Sequence, residues 1–314
     1  MSNPAIDRIL EKVGDTELLN KLSHLPATEL QSLLLEVFRN SAGNVTPQQL
    51  LKAYETNRFV IPSTVDPITF YKMEIEMMEY AKACSFEPLE LSPLAPLGSC
   101  SAIGLADQNK VVSALRGTEV VADATNLMAL EAAVRRKSSR FDDNVLNLCS
   151  IHRHVRAQAL PPIKGFTAHF KVFTAITAGR DRGSMEFEKM ALMQHLAFYE
   201  KYFVGHLKLA NTKVIIKALK GDEGNTDRSH QLYNFLKTRL NGFVIEFIEV
   251  PESKHWYYQR TRFSLNADFN GKEFNLGDGG FVDWGAKLTS NGKERMFASG
   301  FGIELLLKLQ NGIL

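Results

Sequence analysis

Only three cysteines, Cys84, Cys100 and Cys149, occur in the 314 residues, and none forms a C-x-x-C pair. That scatter excludes a disulfide framework and carries no zinc-site signature. It suits a reduced, cytosolic setting. An excess of one charge is also missing, with 37 Lys+Arg against 35 Asp+Glu for a formal net charge of +2. No overall field therefore steers the chain toward nucleic acid. No run approaches the ~18 apolar residues of a membrane span, and the opening MSNPAIDRILEKVGD lacks the apolar centre of a signal peptide. The expectation is a cytoplasmic protein without membrane association. What remains is a globular composition, 45% hydrophobic and 23% charged, enough for one large domain or two smaller ones.

Ala5, Ile6, Ile9, Leu10 and Val13 recur at helical spacing and stop at Gly14, which predicts a first helix. Thr28 precedes a second run from Leu30 to Phe38 that ends near Gly43. Thr46-Pro47 opens a third, with proline at the favoured first position. Six basic and seven acidic residues lie between Met1 and Thr64. Residues 1–66 thus read as a helical N-terminal cap or a docking element for a protein partner, with the boundary between Pro62 and Pro67. Ile68 to Cys84 reads as one long helix. Its Phe70, Met73, Met77, Met78 and Tyr80 suit core or interface packing. The extended segment that follows has Pro88 and Pro93, which favour a sheet edge.

Residues 67–314 read as one domain of mixed strand and helix. Strands are expected at 110–115, 119–122, 145–155, 166–178, 214–219, 243–250, 257–269 and 272–276. Helices are expected at 126–137, 184–204, 227–240 and 302–309, and Gly277 to Gly280 reads as a turn. Long strands with few βα alternations predict an α+β fold on a mainly antiparallel sheet, not a doubly wound one.

Four stretches then stand in a telling order: the 68–84 helix running into a proline-terminated strand, LCSIHRHVRAQ, a long strand, and GFGIELLLKL. This order resembles the motifs of class II aminoacyl-tRNA synthetases, nearest the histidyl-tRNA synthetase branch. The resemblance implies an antiparallel sheet flanked by helices and a homodimer through the 68–84 helix. It also implies a catalytic core with no anticodon-binding domain after it. Arg156 falls where the family grips a phosphate or carboxylate, Gln158 where it has glutamate, and Phe170 where an aromatic stacks on adenine. A guanidinium suits shifting negative charge, and a flat ring offers a face to a base. Asp123 and Thr125 match the pair that meets a substrate amino group, and both are equally apt as a helix cap. Tyr257 and Tyr258 match a paired-Tyr strand that also meets substrate. Gly279-Gly280-Phe281-Val282-Asp283 matches a Gly-Gly-x-Tyr-Asp turn, where twin glycine serves a close approach or a plain hairpin. ATP with Mg is the implied cofactor.

The departures matter as much. Leu305 stands where an arginine clamps the γ-phosphate, and Ser253 falls near another arginine of the histidine enzymes. Val172, Ile176 and Val282 replace polar reading positions, so histidine recognition is not expected. An aliphatic side chain cannot neutralise a triphosphate. Arg153, Arg180, Arg182, Arg260 and Arg262 are candidates to compensate. His152, His154 and His169 read as structural. Gly98-Ser99-Cys100-Ser101 reads as a substrate-closing loop, with no base beside Cys100. Two readings follow. One is a paralogue that binds a small carboxylate or nucleotide with aminoacylation altered or lost, similar to the regulatory subunit of ATP phosphoribosyltransferase. The other is a stand-alone ATP-dependent ligase that forms an adenylate on an amino acid. Near-neutral charge disfavours a tRNA-binding factor.

Overall fold

The computed structural model describes residues 3–138, 144–159, 166–219, 223–251 and 257–313. Ser253, near which an arginine of the histidine enzymes falls, lies outside these residues.

Four helices come first. α1 (Pro4–Val13) begins where the Asn3 side chain accepts the Ala5 amide, and it ends at Gly14 in the left-handed conformation. α2 (Leu18–Ser23) was not expected; six residues are too few to show a period. α3 (Ala27–Gly43) and α4 (Pro47–Thr56) match expectation, and Thr46 with Gln49 forms a capping box at the start of α4. None of the four buries a residue fully. α5 (Pro67–Ala83) follows, capped by Asp66. Its Phe70, Met73, Met77 and Ala81 are buried in the chain's own core, so this part of the stripe is core packing. Ile68, Tyr71 and Ile75 on α5 stay exposed.

Next come β1 (Glu87–Pro88), β2 (Leu94–Pro96), α6 (Ser99–Ala102), β3 (Ser113–Ala114), β4 (Thr118–Val120) and α7 (Ala124–Lys137). The long hairpin of β5 (Leu146–Val155) and β6 (His169–Arg180) precedes α8 (Glu186–Tyr199), which runs on as a π-helical turn at Glu200–His206. The wider turn puts the adjacent rings of Tyr202 and Phe203 into the core together. The chain continues through β7 (Lys213–Leu219), α9 (Glu223–Lys237), β8 (Val244–Val250), β9 (Gln259–Phe269) and β10 (Lys272–Val282). It closes with α10 (Trp284–Thr289), β11 (Glu294–Phe301) and α11 (Ile303–Gln310).

The large sheet has the order β1-β5-β6-β11-β10-β9-β7-β8. Its five inner pairings are antiparallel, and only the edge pairs β1–β5 and β7–β8 run parallel. The α+β expectation therefore holds. β2, β4 and β3 form a small separate antiparallel sheet. One face of the large sheet carries the main core, with Phe173, Phe203, Phe263, Phe297 and Phe301 packed under α5, α8, α9 and α11. The other face packs against α7 and α10 through Met128, Ile176, Trp284 and Met296.

Two expectations fail here. Gly277 to Gly280 is not a turn, because all four residues pair within β10 to β9 on one side and β11 on the other. The true turn is Asn270-Gly271, both with positive φ, the usual composition of a tight hairpin. At Gly279 an added Cβ would lie 2.5 Å from both the Phe263 ring and Ser299, and at Gly280 it would lie 2.8 Å from the Tyr258 ring. The twin glycine thus serves close approach. The central strand β11 was not anticipated either. It is buried on both faces and shows no alternation to read.

Candidate active-site cleft

The β5–β6 hairpin carries the site. Alternation sets Ser150, His152 and His154 of β5 on one face, opposite Thr174, Val172 and Phe170 of β6. Arg156 continues that face just past the strand end. Its Nε donates to the Ala122 carbonyl at 3.0 Å, and its guanidinium carbon lies 5.3 Å from the centre of the Phe170 ring. The backbone after Arg156 is held from a distance. Arg58 Nη2 donates to the Ala157 carbonyl at 2.6 Å and Nη1 to the Gln158 carbonyl at 2.8 Å. Sequence reading had no means to find Arg58, which lies 100 residues from Gln158.

Asp123 takes the helix-cap role, one of the two expected of it. Its carboxylate caps α7 by accepting the Thr125 amide at 3.0 Å, and it accepts the Thr125 hydroxyl at 2.6 Å. The Tyr257 hydroxyl donates to the other carboxylate oxygen at 3.0 Å and lies 2.5 Å from the Thr125 hydroxyl. Two hydroxyl protons thus serve three oxygen–oxygen contacts. Tyr258 repeats the device on β10, donating to Asp278 at 2.6 Å. Burial, then the neighbouring carboxylates, holds both phenols well above their usual range, so they stay donors. Asp278 as a residue is exposed, yet desolvation of its carboxyl in the cleft, with the Asp123 charge adding to it, raises its pKa against the Tyr258 hydrogen bond and the charges of Arg262 and Arg156.

His154 is fully buried, and its Nε2 accepts the Ala124 amide at 3.0 Å at the start of α7. That bond fixes the proton on Nδ1, which has no partner. Burial pushes its pKa down to about 3, so the ring is neutral. The structural reading of His152 and His154 missed this donor.

These groups surround a cleft of about 210 Å3 lined by Asp123, Thr125, His154, Arg156, Phe170, Tyr257, Tyr258 and Asp278. Asp123, Arg156 and Tyr257 form its common wall with a larger cleft of about 720 Å3, which holds Cys100, Lys110, Asn126 and Gln158. All seven sequence-selected residues therefore converge, with Gln158 exposed at the outer part. Glu119, fully buried, accepts the Gly98 and Cys100 amides at 2.8 and 2.9 Å and pins the Gly98–Ser101 loop. Burial pushes the Cys100 thiol up to about 11, which leaves it without thiolate character.

The compensating cations divide sharply. Arg153 points to the opposite face, where it meets His169 at 2.9 Å and the buried Glu304 at 3.4 Å. Arg180 bonds Glu294, and Arg260 lines a separate cleft with Asp181 and Glu188. Arg262, opposite Gly280 in the sheet, is the one of the five whose charge reaches Asp278. Glu304 accepts from Ser63 and Lys308 at 2.6 and 2.9 Å. Burial alone would raise its pKa, yet these partners hold it low. Leu305 is half-buried against the main core. Among the described residues no group of three His, Cys, Asp or Glu could hold a metal ion, and no helix is long and apolar enough to cross a membrane.

The sheet order, the long hairpin bearing Arg156 and Phe170, and the glycine-led α11 define a class II aminoacyl-tRNA synthetase-like fold. Solved structures bear this out. An ATP phosphoribosyltransferase regulatory subunit/histidyl-tRNA synthetase from Bacillus halodurans C matches with TM-score 0.60 and 14% identity, over 80% of this chain and 82% of that one. A threonyl-tRNA synthetase from Aeropyrum pernix matches with TM-score 0.59 and 13% identity, over 77% and 59%. The histidyl-tRNA synthetase of S. aureus matches with TM-score 0.57 and 14% identity, over 80% and 70%. No family model matches the chain, and no curated protein matches it in sequence.

Proposed function

We propose that the chain is a distant class II synthetase paralogue whose cleft binds a small carboxylate or nucleotide, with aminoacylation altered or lost and a regulatory role. The observation that carries this reading is the split between Arg156 and Leu305. Arg156 stands in the cleft over Phe170, ready for an anionic group, while α11 offers an aliphatic side chain where a γ-phosphate clamp is needed. One lost charge-assisted contact costs about 1.5–3 kcal/mol, or about tenfold to a hundredfold in affinity. A ligand with fewer phosphates is therefore favoured over ATP with Mg. Titration of the protein with AMP tests the reading. Binding that Arg156→Ala removes, with the melting temperature of the variant retained, supports it; binding unchanged in Arg156→Ala refutes it.

The alternative, an ATP-dependent ligase that activates an amino acid as an adenylate, draws on the same Arg156 and on the Asp123–Thr125–Tyr257 cluster. Arg262 would then serve the phosphates. We further propose a homodimer through the exposed Ile68, Tyr71 and Ile75 of α5, a protein partner for the N-terminal helices, and a cytoplasmic location.

A further inference from the structure

The ladder between β5 and β6 ends at the Val155–His169 pair, so the main chain that carries Arg156 lies beyond sheet pairing. Three other segments take over its hydrogen bonds. The Arg156 amide donates to the Ala168 carbonyl at 2.9 Å, and the Ala157 amide to the Lys110 carbonyl at 2.8 Å. The Ala157 and Gln158 carbonyls accept from Nη2 and Nη1 of Arg58 at 2.6 and 2.8 Å. A local turn delivers Arg58 to this place. α4 stops at Asn57, whose side chain accepts the Phe59 amide at 3.0 Å while its carbonyl accepts the Val60 amide at 3.0 Å. Arg58 stands at the head of that turn, and the Phe59 ring, with its centre 4.7 Å from the guanidinium carbon, backs it.

From this arrangement we infer that Arg58 is a positioning residue for Arg156: by clamping the two carbonyls that follow, it keeps the Arg156 guanidinium in place at the cleft wall. The inference rests on the proposed anion-binding role of the cleft and names a residue that sets its affinity from outside. A guanidinium suits this task, because its rigid fork meets two successive carbonyls at once, which a single ammonium does not. Both bonds are charge-assisted and so outweigh bonds between neutral groups. Arg58 is not among the residues that line either cleft, so it acts through Arg156 and not on the ligand. The same segment has two further anchors. The Ile61 carbonyl accepts from His169 Nε2 at 2.6 Å, and the Ser63 hydroxyl donates to Glu304 at 2.6 Å. Neither anchor touches the chain just past Arg156. Among described residues 3–66, Arg58 alone hydrogen-bonds to residues 156–158.

Titration of the full chain with AMP, together with hydrogen exchange of its backbone amides, tests the inference. Arg58→Ala, checked for a retained melting curve, is expected to weaken AMP about tenfold, the effect of one lost charge-assisted hydrogen bond. Arg58→Lys keeps the charge but cannot span both carbonyls, so it is expected to weaken AMP as well, and it carries the test should Arg58→Ala unfold. Ser63→Ala removes a different anchor of the same segment and should leave AMP affinity unchanged. The Arg156 and Ala157 amides should exchange faster in both Arg58 variants, with the paired amides of β6 and β11 unaffected. A merely structural Arg58 would instead loosen α4 and spare residues 156 and 157. Unchanged AMP affinity in Arg58→Ala, full affinity in Arg58→Lys, equal weakening by Ser63→Ala, or unaltered exchange at Arg156 and Ala157 would each overturn the inference. If the unmodified protein binds no AMP, the nucleotide part of the proposed function falls, and the exchange comparison still decides the role of Arg58.

Discussion

The guanidinium carbon of Arg156 stands 5.3 Å from the centre of the Phe170 ring, a cation–π contact between the two residues proposed to meet different parts of a ligand. A base that stacks on Phe170 competes with this contact, which is worth about 0.5–1 kcal/mol at partly exposed sites. Phe170→Ala is therefore expected to weaken AMP more than inorganic phosphate. Parallel titrations with both ligands check this, and an equal loss for both counts against base stacking.

His154 and His195 bear on acid stability. Burial holds both at about 3, below the ~6.5 of a free histidine. The unfolded state takes up these protons first as pH falls. Stability is thus complete above about pH 6.5 and is lost from there toward pH 3, by up to about 1.4 kcal/mol per pH unit per histidine. Urea midpoints at pH 7.5, 6.5, 5.5 and 5 should decline only below 6.5. A flat profile down to pH 5 would contradict the burial of these rings.

Gly280 makes room for Tyr258, whose hydroxyl orients Asp278. Gly280→Ala should cost about 1–3 kcal/mol through overpacking. It should also weaken any ligand that needs Asp278. Denaturation and titration of the same variant measure the two effects.

Arg136 and Glu294 form a buried ion pair at 2.8 Å, with Arg180 adding a longer contact. Glu294→Gln removes the carboxylate charge from this buried pair, an effect of about 3–5 kcal/mol. Urea denaturation at pH 7.5 should show a loss of that size without effect on the cleft.

Legibility from sequence followed the physics of each element. α1 and α4 were readable because Gly14, Thr46 and Pro47 are local stop and start signals. β11 was not, because a strand buried on both faces loses its alternation. Asp278 was hidden inside a glycine run that looks like a turn, and only the pairing of β10 with both neighbours shows those glycines to be contact points. Arg156, Phe170, Asp123, Thr125, Tyr257 and Tyr258 were found through motif order and do converge. His154 escaped because its role depends on the amide of Ala124, 30 residues away.

The central claim is that the cleft binds an anion without performing ATP-dependent activation, and pyrophosphate exchange tests it most directly. With ATP, magnesium and each amino acid in turn, glycine included, the unmodified protein should show no exchange. Leu305→Arg should strengthen ATP binding about tenfold to a hundredfold. Magnesium-dependent exchange by the unmodified protein with any of these amino acids would contradict the account and establish the ligase reading.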